Sequence, residues 1–184
     1  HRQMCIGDRF GYEAGTLTGA IKGGKEGVIQ SANNGTLFLD EIGDMSYHLQ
    51  AKLLRVIEGK KIKRLGSNLE IAVNVRIIAA TNRDLEQMMR KGEFRQDLYY
   101  RLNVIPLTLP ALRDRKEDIE ALLNHFISLY SKENRKRIKG MAPGVLRLFQ
   151  QYDWPGNIRE LQNFVEYAIN VETGEYINLH KRGE

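Results

Sequence analysis

Residues 1–110 predict an α/β unit and residues 111–184 a small helical one, on three observations. Two short apolar runs in the first part, Thr36-Leu37-Phe38-Leu39 and Val75-Arg76-Ile77-Ile78-Ala79-Ala80, each end abruptly in polar groups. Continuous runs of this kind read as strands buried on both faces of a parallel sheet. Helix-spaced segments lie between and after them, and beyond about residue 111 the pattern is helical only. The class expected is a parallel sheet with flanking helices, followed by an all-helical subdomain.

Taken in order, residues 1–26 hold little periodicity and many glycines (Gly7, Gly11, Gly15, Gly19, Gly23, Gly24). At their centre, Gly15-Thr16-Leu17-Thr18-Gly19-Ala20 sets one leucine among small residues, which suits a mobile loop tip or a plain connector. Gly19 to Glu26 imitates the phosphate-loop pattern G-x-x-x-x-G-K, with Glu26 where Ser or Thr is usual. A true phosphate loop follows a strand and opens a helix, so that amides and the helix dipole meet the phosphates. Here a glycine-rich loop precedes the match and Gly27 follows it, so the match is rejected.

The first strand runs into Asp40 and Glu41. In open α/β sheets ligands gather at the carboxyl ends of strands. A carboxylate there can hold the water shell of a phosphate-bound Mg²⁺, an ion that prefers hard oxygens and keeps several waters. The next carboxylate can polarise a water for attack on a γ-phosphate. The plain alternative is a core strand meeting a solvated acidic turn.

Ser46 is placed to cap a helix running to about Glu58, with Gly59 as its stop. Lys60 to Leu65 reads as a short solvated strand feeding the Gly66-Ser67-Asn68 turn rather than as a nucleic-acid patch. The second strand would bring Asn82 near the same phosphate, where its amide can orient the attacking water, although Asn at a strand end is also ordinary turn chemistry. Asp84 caps a helix ending near Gly92. Arg95 and Arg101 then bracket another, with Asp97 and Glu93 as their everyday ion-pair partners. Val104 to Leu109 reads as a third strand closed by Pro110. Three helices follow: Glu117 to about Asn134, Pro143 to about Tyr152, and Ile158 to about Glu172, the last preceded by a Trp154-Pro155-Gly156-Asn157 turn.

Composition excludes several classes. The single cysteine, Cys5, rules out a disulfide framework, and the four scattered histidines have no metal-ligand spacing. No apolar run approaches a membrane span. A net charge of +5 permits an anionic partner without demanding one. The residues beyond Glu172 are too few for a helix-turn-helix, so a DNA-binding part is expected outside this chain. The chain opens on His1 and reads as a piece of something longer.

In their shared order, four segments resemble the AAA+ domain of bacterial enhancer-binding (NtrC-like) activators that work with sigma-54 RNA polymerase. Ala32-Asn33-Asn34-Gly35-Thr36-Leu37-Phe38-Leu39-Asp40-Glu41-Ile42 resembles that family's Walker B, and Ala79-Ala80-Thr81-Asn82 its sensor I. Gly92-Glu93-Phe94-Arg95 through Arg101-Leu102 resembles the arginine-finger segment, and Trp154 to Leu161 the sensor II signature. The likeness covers about Arg9 to Leu179.

The resemblance implies an ATPase using ATP and Mg²⁺. Asp40 would organise the metal through water and Glu41 would activate the attacking water. Ala32, Asn33, Asn34, Gly35, Thr81 and Asn82 would belong to the nucleotide-binding and sensing set. Arg95 and Arg101 would reach a neighbouring subunit's nucleotide, and Arg159 would contact the subunit's own. It further implies a hexameric ring in the bacterial cytoplasm whose Gly15–Ala20 loop grips sigma-54 and remodels the closed promoter complex.

Two departures matter. The family's loop usually reads Gly-Ala-Phe-Thr-Gly-Ala, and Thr16 and Leu17 replace the Ala and the aromatic, offering less contact area. The family's phosphate loop, with its strand and helix, is expected upstream of this stretch. The chain alone is therefore expected to be an incomplete, catalytically inert AAA+ fold with exposed strand edges that invite association. The alternative is a non-hydrolysing regulatory module that binds polymerase or a partner subunit.

Overall fold

A computed structural model of the chain describes residues 6–12 and 24–178. It forms two compact units, residues 1–106 and 107–184. The first holds α1 (Ile6–Phe10), β1 (Gly11–Tyr12), β2 (Lys25–Glu26), α2 (Val28–Ser31), β3 (Thr36–Leu39), α3 (Tyr47–Gly59), β4 (Lys61–Lys63), β5 (Glu70–Ala72), β6 (Arg76–Ala79), α4 (Leu85–Arg90) and α5 (Gln96–Leu102). The second holds α6 (Asp118–Glu133), β7 (Gly140–Met141), α7 (Pro143–Gln151), α8 (Asn157–Val171) and β8 (Tyr176–Ile177). The Gly15–Ala20 loop lies outside the described residues.

Within the first unit, β3 and β6 pair in parallel, Thr36 opposite Arg76 and Leu39 opposite Ala79. Successive side chains on a strand point to opposite faces. Leu37 is buried with Phe10, Ile29, Val56, Ile62 and Val73. Phe38 and its cross-strand neighbour Ile78 are 59% and 44% exposed. The expectation of a strand covered on both faces is thereby corrected. An apolar run reports what a face can bury, but a second layer must lie on that face, and among the described residues none covers it.

Val104 to Leu109 forms no strand, which is a second correction; Val104, Ile105, Leu107 and Leu109 are exposed. Apolar composition makes a strand only where a neighbouring edge accepts its N–H and C=O groups. Among the described residues β6 is paired with β3 alone.

Helix α3 joins two cores. Its Leu53 and Leu54 pack with Ile42, Met88, Phe94 and Leu98, while Val56 enters the cluster behind Leu37. The helix takes in Gly59, the residue expected to stop it. Lys60, at φ +47°, makes the left-handed cap and returns its N–H to the Val56 carbonyl (3.0 Å). Beyond it, Lys61 and Lys63 on β4 both pair with Glu70 on the antiparallel strand β5, so the basic run is a hairpin edge with two of its lysines sharing one carboxylate.

Lys25, the lysine of the rejected phosphate-loop match, sits in β2 opposite Tyr12 and pairs with Asp8 at 2.8 Å. The glycine-rich first part also holds α1 and the β1–β2 ribbon, which its composition did not announce.

The second unit packs α6 against α8 around Leu112, Ile119, Leu123, Leu161, Val165 and Ile169. It is not purely helical, because β7 and β8 form a two-residue parallel ladder. The ladder is held by Glu172, whose buried carboxylate accepts from the amides of Thr173 (3.1 Å), Gly174 (3.0 Å) and Asn178 (3.1 Å). From the other side the Lys136 ammonium caps α8, donating to the carbonyls of Ile169, Asn170 and Glu172 at 2.7–2.9 Å. Hydrogen bonds to a charged group are each worth about 1.5–3 kcal/mol. We expect Glu172→Ala to destabilise this unit by about 2–3 kcal/mol, with faster hydrogen exchange at Thr173, Gly174 and Asn178 ahead of α6.

Candidate active site

The parallel ladder continues past both strand tips: Ala80 donates to the Leu39 carbonyl (2.9 Å) and Ile42 to the Ala80 carbonyl (3.0 Å). Asp40 and Glu41 therefore leave the sheet beside Ala80 and Thr81. Asp40 closes its own turn by accepting the Glu41 amide on Oδ1 at 2.9 Å.

Glu41 itself takes φ +51°, ψ +46°. A non-glycine residue in this left-handed region costs of order 1–3 kcal/mol, and such residues gather at functional sites. Other described residues share a positive φ, among them Asn34, Lys60 and Trp154. Like them, Glu41 sits at a turn and caps a short helix, but its turn lies at the tip of the parallel pair. Its strain turns the chain sharply into the 3-10 segment Ile42–Asp44.

The two tips are fastened together. A Cβ placed on buried Gly43 would come within 2.9 Å of Thr81 Oγ1 and 3.2 Å of the Arg83 side chain, so only glycine allows this approach. Thr81 Oγ1 accepts from the Arg83 amide (3.1 Å), and the Arg83 guanidinium pairs with Asp44 at 2.6 Å. Asn82 is exposed beside them.

Not every expected residue arrives here. Ala32 to Gly35 lie at the start of β3, roughly 13 Å from its far end at about 3.3 Å per residue. There Asn33 Oδ1 accepts the Asn74 amide (2.7 Å) and the Asn34 amide donates to the Asn74 carbonyl (2.7 Å). These four residues shape the entry to the strand, and the structure does not bring them to Asp40.

Among the described residues no group of three or more His, Cys, Asp or Glu could chelate a metal. The donor set at the strand tip suits Mg²⁺, which is held by one or two carboxylates together with phosphate oxygens and water.

The arginine segment lies in the same unit. Asp84 Oδ1 caps α4 through the Gln87 amide (2.9 Å), and Gly92, at φ +73°, turns the chain toward α5. Arg95 is gripped by Asp97 through two bonds, Nε at 2.9 Å and Nη2 at 2.6 Å, and its guanidinium lies 5.4 Å from the Tyr47 ring centre. These two bonds hold the Asp97 carboxyl below, and the Arg95 guanidinium above, their ordinary pKa values. Arg101 has a looser tie, a single 3.1 Å bond to Glu58. Its side chain is 60% exposed, against 29% for Arg95. The expected partnership of Arg95 with Asp97 forms, while Arg101 takes Glu58 on α3 in place of Glu93.

Because the folded Asp97 pKa is depressed, its contribution is fully present above the ordinary value of 3.8 and is lost as pH falls through the lowered one. Asp97→Asn is expected to lower the melting temperature only slightly at neutral pH, since the pair is half-exposed, and by less as pH falls below about 4, which flattens the acid limb.

In the second unit, the Trp154-Pro155-Gly156-Asn157 turn fixes the start of α8. Trp154 is buried at φ +48°, donates Nε1–H to the Phe149 carbonyl (2.8 Å), and packs edge-on against Phe149 and Tyr152. Asn157 Oδ1 takes the Leu112 amide (2.9 Å), and Glu160 returns to the Gly156 amide (2.8 Å). Arg159 is exposed on the first turn of α8. A cation at a helix N-terminus opposes the macrodipole, so helix stability does not account for it.

Comparison with known proteins accords with this anatomy. Residues 2–108 match the sigma-54 interaction domain, and residues 113–181 match the AAA+ ATPase lid domain. The chain is 53% identical to the transcriptional regulatory protein ZraR of Salmonella typhimurium, covering 97% of this chain and 40% of that protein. It is 51% identical to the regulatory protein AtoC of Escherichia coli, covering 91% and 36%. Its fold is that of NtrX from Brucella abortus solved in complex with ADP, with a TM-score of 0.83 at 34% identity over 94% of this chain and 38% of that one. The chain thus spans two fifths or less of each of these proteins. With more than half its length matched by one domain model and most of the remainder by its companion lid, the chain belongs to the sigma-54 interaction domain family of AAA+ transcription activators.

Proposed function

We propose that this chain is the ATP-hydrolysing, sigma-54-engaging part of a bacterial transcription activator working in the cytoplasm. The observation that carries the reading is the joined pair of strand tips, Asp40–Glu41 beside Thr81–Asn82. Asp40 would hold Mg²⁺ through its water shell, and the bound ion would neutralise charge on the β- and γ-phosphates. Glu41 accepts a proton from the attacking water, and Thr81 and Asn82 orient around the γ-phosphate. Arg159 contacts the nucleotide of its own subunit, while Arg95 and Arg101 serve the neighbour in a ring, which we take to be a hexamer. The Gly15–Ala20 loop engages sigma-54, and DNA is met only through a part of the protein outside this chain.

ADP in the NtrX crystal supports nucleotide binding as a trait of similar proteins. The test is a side-by-side measurement of Mg²⁺-dependent ATP binding and turnover by the full-length parent and by these 184 residues. Turnover by the parent alone is the expected result, with the isolated chain inert. A parent that binds sigma-54 polymerase without hydrolysing ATP would establish the non-hydrolysing regulatory module instead.

A further inference from the structure

Gln50, on the first turn of α3, is fully buried, at 0% exposure. Its amide uses both donors and one of two acceptor sites: Nε2 donates to the carbonyls of Met45 (2.9 Å) and Glu93 (3.0 Å), and Oε1 accepts the Arg95 amide (2.8 Å). An apolar side chain would fill this space without desolvating an amide, but three backbone groups would then lose their partners. Those groups come from two distant segments. Met45 directly follows the Ile42–Asp44 turn that the strained Glu41 initiates, and Glu93–Arg95 opens the helix that bears Arg101.

We infer that Gln50 is a positioning residue that locks the Glu41 turn to the arginine segment. A shift at the strand tip is thereby passed to the side chains that serve the next subunit. All three bonds are to backbone, so Gln50 registers where the two segments are rather than which side chains they carry. The inference rests on the ATPase reading for its purpose, but not for its geometry.

The experiment uses the full-length parent with Gln50→Met, which removes all three bonds, and Gln50→Glu. When ionised, the latter keeps the acceptor for Arg95 and loses both donors. Hydrogen exchange is expected to quicken over residues 41–46 and 93–97 together in Gln50→Met. In both variants kcat for ATP is expected to fall about 10- to 100-fold, with KM within about twofold. Adding Gln50→Met to Arg101→Ala is expected to cost far less than Gln50→Met alone, because the first change acts through the second.

Quickened exchange in only one of the two segments, or fully additive kinetic losses, would overturn the inference. If Gln50→Met does not fold, the same readings on Gln50→Glu decide it. Should the parent show no ATP hydrolysis, the ATPase reading fails by itself, and the exchange measurement still decides the coupling.

Discussion

Replacing Arg101 with alanine is expected to lower ATP turnover of the assembled parent by about 10³–10⁵-fold, with ATP binding to the altered subunit nearly unchanged. An arginine finger acts on charge that develops in the transition state, so its loss falls on kcat rather than on ground-state affinity. Arg101 suits that task because its tie is weak. It makes one bond to a half-exposed glutamate across α3 and α5, and exposed pairs of this kind contribute about 0–1 kcal/mol. The guanidinium can leave Glu58 at little cost. Arg95 cannot do so as easily, with two bonds to Asp97 and a face against Tyr47. Mixing separates cis from trans action. Arg101→Ala and Glu41→Gln subunits, each inactive alone, should regain turnover when combined, since one kind of interface then carries both an intact Glu41 and an intact Arg101. Mixtures that stay inactive would remove the trans role.

The second large effect is at Glu41. Glu41→Gln should cut hydrolysis about 10²–10⁴-fold while leaving Mg²⁺-ATP bound, because the amide fills the same volume but accepts no proton from water. The backbone supplies an independent check. At φ +51° a glycine is unstrained, so Glu41→Gly should raise the melting temperature while abolishing turnover. Gain of stability with loss of activity is the mark of strain held for function. A Glu41→Gly variant that melts lower would show that the left-handed turn is not under strain.

Much of the fold was legible in the chain itself. The Asp84 cap, the α5 helix between the two arginines and the three helices of the second unit each follow from local signals, because capping chemistry and helical spacing act within a few residues. The strand tips were legible too, since an apolar run stopping at Asp40–Glu41 and another at Thr81–Asn82 mark where each strand ends. The misses have one cause. Thr36–Leu39 and Val104–Leu109 carry the same kind of apolar composition, yet one became a strand and the other did not. What differs is whether another edge meets each run, and composition holds no information about that. Asn33 and Asn34 belong to the same motif as Asp40, but they lie at the opposite end of the strand, where their polar groups hold Asn74.

The linear order of residues by itself determined which chemical groups this protein has and the class of element each one sits on. Those depend on neighbours along the chain. Only the tertiary structure decided that Arg101 is tied to Glu58 on α3, that Gly43 is pressed against Thr81, and that a glutamine within α3 bonds two segments far apart in sequence. Those are contacts between residues remote along the chain. They arise from packing, in which the partner's position matters more than either residue's own preferences.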